Sequence, residues 1–291
     1  MKNVNKNLGG GIRRVDSIEE WIMILKEFKS SMGKCDTNCY MNIPMLEGYV
    51  EEHRIFYSVI QSTLWCYIQE REYYLGYYYV PKNQKICVDG IDKDLVVSLI
   101  GTESKYALVR ENELVEEGGR LFKRNVEYIS TESILPVLSK MKQKCNGFIL
   151  KMKIHYDFFH GVDYEEMYKM FKERIDKYSV KLLTGKCIRQ MEREKEGIIA
   201  RAENGKIVAA CCFTINGNIA ILENIASDFA YNGIGIGSSL FCQELSEIFS
   251  RGVKKAFFWV WENNIESRKM SERFATLTGR FSQYIVFEHN L

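Results

Sequence analysis

The chain has 291 residues, 46% apolar and 27% charged, with 40 basic and 38 acidic side chains and a formal net charge of +2. This composition supports a packed core and argues against global disorder, and the length suits two ordinary domains or one large one. The near-neutral balance gives no reason to expect a nucleic-acid partner. No apolar run approaches a membrane span, and the opening MKNVNKNLGGGIRR lacks the apolar stretch of a secretory signal. A cytoplasmic protein with no membrane partner is expected.

In chain order, Asp16 or Ser17, the latter with Glu20 in capping-box position, opens a helix striped with Trp21, Ile24, Leu25 and Phe28. A second helix is predicted over 44–58, since Pro44 is favoured at a helix start. Aromatic and β-branched runs predict strands over 63–69, 73–80 and 95–100, broken by turn signals near Pro81 and at Asp89–Gly90. Gly118–Gly119 reads as a plain turn. Ser133 caps a helix predicted to run to about residue 144, with Pro136 in its first turn. Residues 147–156 read as a strand. None of this half carries a glycine-rich phosphate turn.

The pattern resets near residues 157–163. Asp163 caps a helix carrying Met167, Met170, Phe171 and Ile175, and a shorter helix covers about 186–193. Strands 197–202 and 206–214 meet at Glu203-Asn204-Gly205, a strong hairpin signal. Asn216-Gly217-Asn218 feeds a strand over 219–225. An amphipathic helix over 236–249 presents Leu240, Phe241, Leu245, Ile248 and Phe249. A strand over 256–261, a helix from about 266 and a last strand over 281–287 complete the chain. Two mixed α/β domains are expected, 1–150 and 157–291, with no clear sequence repeat between them.

Nine cysteines, an odd number with no CxxC pair, suggest reduced and mostly buried thiols. Cys211 and Cys212 are adjacent on a strand, so alternation sends one to each face. Cys35, Cys39 and His53 have loose zinc-ligand spacing without a fourth partner, and no metal site is expected.

The most informative stretch is the turn Asn232-Gly233-Ile234-Gly235-Ile236-Gly237 between the strand over 219–225 and the following helix. Glycines there permit positive φ and close approach of a ligand to the main chain. The helix start offers unpaired N–H groups and the positive end of its dipole, which together suit a phosphate. A P-loop requires GxxxxGK[ST], which is absent. A dinucleotide-binding unit requires GxGxxG and a later acidic residue. Glu262 meets the second condition superficially, but the spacing is GxGxG and the tail after Glu262 is too short for a doubly wound sheet.

This segment resembles motif A of the GNAT superfamily of N-acetyltransferases, Arg/Gln-x-x-Gly-x-Gly/Ala after the fourth strand. The resemblance covers roughly residues 157–291 and implies a mixed, mostly antiparallel sheet flanked by helices. It also implies acetyl-CoA as co-substrate, its pyrophosphate held by Asn232, Gly233, Ile234, Gly235, Ile236, Gly237 and Ser238. The pantetheine arm would run along Ile225, Ala226 and Ser227, with Asn264 and Ser267 at the next helix start completing the binding set. The N-terminal half is read as a divergent unit, on size and mixed pattern a degenerate second copy. Two departures stand out. Asn232 replaces Arg or Gln, and Ser271 stands where many members carry the tyrosine that protonates the departing thiolate.

Amide formation requires a deprotonated amine, a polarised thioester carbonyl and a protonated leaving thiolate, with proximity supplying much of the acceleration. Main-chain N–H groups of residues 224–227 could polarise the carbonyl. Glu223 is the candidate base: LENIAS resembles the IEDIAV of glucosamine-phosphate acetyltransferase-like members, and burial on a strand would raise its pKa. A solvent-facing or salt-bridged Glu223 is the competing reading. With Ser271 in place of the tyrosine, water, Tyr231 or Tyr284 is left as proton donor. The acceptor is expected to be a primary amine on a small molecule or peptide. A non-catalytic acyl-CoA-binding or regulatory module, and an aminoacyl or long-chain acyl transferase on the same fold, are the alternatives.

Overall fold

Side-chain caps start the first helices in the computed structural model, which describes residues 11–90, 93–102 and 105–289. Residues 1–10, part of the opening stretch considered above for a secretory signal, lie outside them. After β1 (Arg13–Arg14), the Ser17 hydroxyl accepts from the Glu20 N–H at 3.1 Å and the Glu20 carboxylate accepts from the Asp16 N–H at 2.7 Å, opening α1 (Ile18–Met32). β2 (Cys35–Thr37) follows, and Asn42 caps α2 (Ile43–Glu51).

The helix predicted over 44–58 stops at α2. His53 takes a φ of 56°, and Ile55–Ile60 forms β3, paired antiparallel with β4 (Thr63–Gln69). Ile55, Val59 and Ile60 are β-branched and Phe56 and Tyr57 aromatic, and such side chains suit a pleated surface better than a helix. β4 pairs antiparallel with β5 (Tyr73–Pro81), which runs parallel to β6 (Asp94–Thr102). Next come α3 (Lys105–Glu116) and β7 (Arg120–Thr131), both absent from the sequence expectation.

A 3-10 turn, Glu132–Ile134, leads into α4 (Leu135–Lys151), which overruns the first half of the strand predicted over 147–156. Leu138 and Ile149, about three helical turns apart, bury into one core cluster, and that shared face keeps the segment helical. Extended structure is confined to β8 (His155–Phe158). The remaining elements are α5 (Tyr164–Arg174), α6 (Gly185–Arg193), β9 (Gly197–Arg201), β10 (Ile207–Asn216), β11 (Ile219–Ser227), α7 (Ile236–Ser250), β12 (Lys255–Trp261), α8 (Ile265–Ser271) and β13 (Thr276–Phe287). Asp163 precedes α5 but does not cap it with its side chain. Its carboxylate accepts instead from Arg201 at 2.6 Å.

The chain divides into two compact units whose boundaries fall inside strands, at Arg124/Asn125 in β7 and Arg280/Phe281 in β13. These borders differ from the expected 1–150 and 157–291 because α4 packs on α7 and so belongs with the second unit. In that unit, Asn125–Arg280, the strands run β7-β12-β11-β10-β9-β8. Only the β11–β12 pairing is parallel among these registers. Residues of α4 and α7 fill the core on one face, around Leu240, Phe241, Phe258 and Cys211. Residues of α5 and α6 fill the other, around Met167, Phe171, Met191 and Cys212. The two cysteines therefore face opposite ways, and burial pushes both thiols upward from their ordinary pKa.

The first unit orders its strands β1-β3-β4-β5-β6, with β2 on β5. Its element sequence matches the second: a strand, two helices, three antiparallel strands, a parallel strand, a helix and a strand. Two elements break the match. β2 lies between α1 and α2, with no counterpart between α5 and α6. α7 connects β11 to β12, whereas the described part of the connection from β5 to β6 holds no helix.

Glu244 is the odd residue of α7. It is fully buried, its carboxylate lies against the Cys211 thiol, and burial holds its pKa well above the usual carboxylate range. A carboxyl raised in the folded state contributes stability that is complete below its unfolded pKa and is lost as pH rises. The expected outcome is that the melting temperature of Glu244→Gln declines less between pH 5 and pH 8 than that of the wild type. Equal declines in thermal unfolding would show that the buried carboxyl does not titrate with folding.

Candidate functional site

The second unit contains a place where its sheet comes apart. β11 pairs with β10 along its length, from Asn216↔Ile219 to Ala209↔Ser227. On its other side it pairs with β12 only from Ile219↔Lys255 to Ile221↔Phe257. Beyond Ile221 that edge of β11, including Ile225, Ala226 and Ser227, has no strand beside it among the described residues. Such an edge can pair with an extended ligand as an added strand would.

The register also slips between Cys212 and Phe213, so that Asn224 faces Cys212 and Leu222 faces Phe213. Glu223 is the extra residue of this bulge, a device that re-aims a side chain. It is exposed, which favours the solvent-facing reading over the buried strand carboxylate. Its Oε1 is 3.4 Å from the Thr214 hydroxyl.

After β11 the chain makes a tight turn. Asp228 accepts from the Ala230 N–H at 2.9 Å and pairs with Lys206 at 2.6 Å. The Lys206 hydrogen bond, then that of Ala230, lowers its pKa, and these contacts make it a turn cap. Gly233 and Gly235 follow with φ of 75° and 84°. That left-handed region costs an L-residue about 1–2 kcal/mol.

Gly235 occupies the N-cap of α7, so no side chain caps the helix. The first returning hydrogen bond is from the Ser239 N–H to the Gly235 carbonyl at 3.0 Å. The N–H groups of Ile236, Gly237 and Ser238 thus have no intrahelical acceptor and point outward at the positive end of the dipole. A Cβ built on Gly237 would meet nothing within 4 Å, so protein packing does not demand glycine there. Tyr156 on β8 donates to the Ser239 hydroxyl at 2.7 Å, and burial pushes its own pKa up to about 12. This brace on the first turn of α7 could not be read from the sequence.

The other expected site residues separate. Asn264 caps α8 by accepting from the Ser267 N–H at 3.1 Å, which joins those two residues. Tyr231 is half-buried and packs against the core cluster that includes α7. Tyr284 lies in the other compact unit, where Lys123 sits over its ring. Ser271 is buried and donates to the Ser267 carbonyl at 2.8 Å, so its hydroxyl is engaged within α8. Among the described residues no group of three or more His, Cys, Asp or Glu is placed to hold a metal ion. No helix among them is long and apolar enough to cross a membrane.

With this geometry, residues 156–275 match the acetyltransferase (GNAT) family. The second unit carries a GNAT domain. No curated protein matches the chain by sequence. Among solved structures, a glucosamine N-acetyltransferase region of a fungal multi-domain GH3 β-N-acetylglucosaminidase is similar at 10% identity and a TM-score of 0.59. That match covers 99% of this chain and 39% of the fungal one. A tandem GNAT protein from the clavulanic acid biosynthesis pathway is similar at 8% identity and a TM-score of 0.54, covering 97% and 99%. A GCN5-related N-acetyltransferase from Sphaerobacter thermophilus gives 12% identity and 0.51, covering 96% and 95%. At these identities the likeness is one of fold, and it extends over the N-terminal half as well.

GNAT members use acetyl-CoA, and the glycine turn allows a direct test of whether this domain is built around such an anion. A helical glycine costs about 0.5–1 kcal/mol relative to alanine. With open space around Gly237, Gly237→Ala is expected to raise the melting temperature of the free protein while weakening acetyl-CoA binding in calorimetry. A stabilised variant with undiminished affinity would show that Gly237 does not face the ligand.

Proposed function

We propose that the GNAT domain is an acetyl-CoA-dependent N-acetyltransferase acting on a primary amine of a small molecule or peptide. The observation that carries this reading is the free edge of β11 running directly into the uncapped N-terminus of α7. Main-chain groups of Ile225, Ala226 and Ser227 pair with the pantetheine arm. Asn232, Gly233, Ile234 and Gly235 wrap the diphosphate, and the N–H groups of Ile236, Gly237 and Ser238 bind it at the dipole's positive end. Asn264 and Ser267, at the start of α8, complete the binding set.

In the reaction, the amine nitrogen bonds to the thioester carbon, the carbon–sulfur bond breaks, and the thiolate leaves. Glu223, brought out by the bulge and accessible to solvent, takes the proton released by the amine. N–H groups of residues 224–227 polarise the carbonyl. Tyr231 is the phenol in this unit assigned to reprotonate the thiolate, because the Ser271 hydroxyl is held inside α8. That engaged Ser271 also favours a second reading, a domain that binds acyl-CoA without turning it over.

The first unit is read as a degenerate GNAT-like copy that does not bind the cofactor. Where β5 and β6 cease to pair after Gly76↔Val97, the Asn38 amide donates to the carbonyls of Gly76 and Ser98, each at 3.1 Å. Its oxygen accepts from the Tyr78 N–H at 2.8 Å. β2 then takes the edge of β5 from Thr37↔Tyr79 to Cys35↔Pro81. The edge corresponding to the free one of β11 is occupied by the unit's own chain.

Calorimetry with acetyl-CoA is therefore expected to give about one site per chain, lost in Gly235→Glu. On a panel of amines, Glu223→Gln is expected to lower kcat by about 10²–10⁴-fold with little change in acetyl-CoA affinity. Two sites per chain would remove the degenerate-copy reading. Binding with no turnover on any amine would favour the non-catalytic module, and no binding would remove the acetyl-CoA reading altogether.

A further inference from the structure

The turn at residues 228–235 has a charged neighbour that its own sequence does not contain. Arg174, the last residue of α5, donates from Nη2 to the Asn232 side-chain oxygen at 2.9 Å. Its guanidinium lies 3.6 Å from the centre of the Phe229 ring, and Phe229 itself is 62% exposed. A hydrogen bond fixes one edge of the fork and an aromatic face fixes its plane, so the cation is oriented before any ligand arrives.

The charge so held has no close partner. Asp228, its pKa lowered chiefly by Lys206, also feels the Arg174 charge, but no ion pair joins the two among the described residues. Among the described residues Arg174 forms no ion pair, and its buried Nε has no hydrogen-bond partner. The carboxylate of this turn, Asp228, is bound by Lys206 at 2.6 Å and by the Ala230 N–H. Arg174 therefore adds positive potential to a turn that already leads into the positive end of α7. Two like fields beside one turn disfavour each other unless an anion lies between them. Guanidinium is the side chain whose donors match a phosphate bidentately.

We infer that Arg174 is a cofactor-binding residue, supplying from α5 the cation that grips the diphosphate of acyl-CoA beside Asn232. This rests on the acetyl-CoA reading and assigns a specific contact within it. Phe229 acts as the platform that holds the fork, and Asn232 positions the guanidinium while Ile236 to Ser238 present their N–H groups. Charge and main-chain donors thus come from two elements that are far apart in sequence and adjacent in space.

The test is a set of competition titrations with acetyl-CoA, its 3′-dephospho form and S-acetylpantetheine, on wild type, Arg174→Met, Arg174→Lys and Arg174→Met/Asn232→Arg. Arg174→Met is expected to weaken both nucleotide ligands roughly tenfold or more, the scale of a hydrogen bond to a charged group, and to leave S-acetylpantetheine unchanged. Arg174→Lys, which keeps the charge but not the fork, is expected to lie between Arg174→Met and wild type. The double variant, with a guanidinium restored on the turn, is expected to regain affinity.

Equal loss on S-acetylpantetheine would make Arg174 merely structural, and loss confined to the 3′-phosphorylated ligand would move the contact to that phosphate. Either overturns the inference, as does undiminished acetyl-CoA affinity in Arg174→Met while Gly235→Glu abolishes binding. Failure of the wild type to bind acetyl-CoA at all would overturn the acetyl-CoA reading and this inference together.

Discussion

Two parallel strands that pair for only a few residues and then part leave a row of main-chain donors and acceptors without partners. Almost every buried main-chain polar group in a folded protein is satisfied, so each unit must answer this divergence in some way. The second unit leaves the edge of β11 free and follows it with a helix that begins without a cap. The first unit closes its edge with the Asn38 amide and with β2. The same geometrical problem thus yields an open slot in one case and a sealed one in the other.

The seal is supported by a set of contacts around the missing helix. Arg110, nearly fully buried on α3, pairs with Asp36 of β2 at 2.9 Å and donates to the Gln84 carbonyl at 2.9 Å. The Ile86 N–H donates to Glu113, and Trp65 donates to the Cys87 carbonyl at 2.8 Å. Breaking one member of such a buried charged set costs about 3–5 kcal/mol because the other charge is left unpaired. Residues 84–87 are therefore held as irregular structure by side chains from β4 and α3. In the second unit, the corresponding position is occupied by α7, fixed by its apolar face and by the Tyr156–Ser239 hydrogen bond.

Much of the second unit was legible from residue pattern. The Asn204–Gly205 hairpin, the alternating Cys211 and Cys212, the glycine turn and the apolar stripe of α7 are local signals, and each forms where expected. Errors arose where local signals competed with packing. Pro44 correctly starts α2, but the β-branched run after His53 pairs with β4 and ends the helix. Residues 147–151 have strand-like side chains, yet Ile149 shares a helical face with Leu138, and α4 continues. The sequence left Glu223 open between a buried and a solvent-facing strand residue. It is exposed, and the bulge opposite Cys212 and Phe213 leaves it without a partner in the β10 register.

The glycines, their spacing and the amphipathic helix after them were sufficient to indicate an anion-binding turn, because positive φ and unpaired helix N–H groups are consequences of nearest neighbours along the chain. The amino-acid order also carried the family resemblance for the same reason. Tertiary structure alone decided which groups surround that turn. Arg174 reaches Asn232 across 58 residues and Tyr156 reaches Ser239 across 83. Asn38 fills the gap beside β5 from 38 and 60 residues away. Pairings over such separations depend on how α5, β8 and β2 pack, and no periodicity in the chain encodes them.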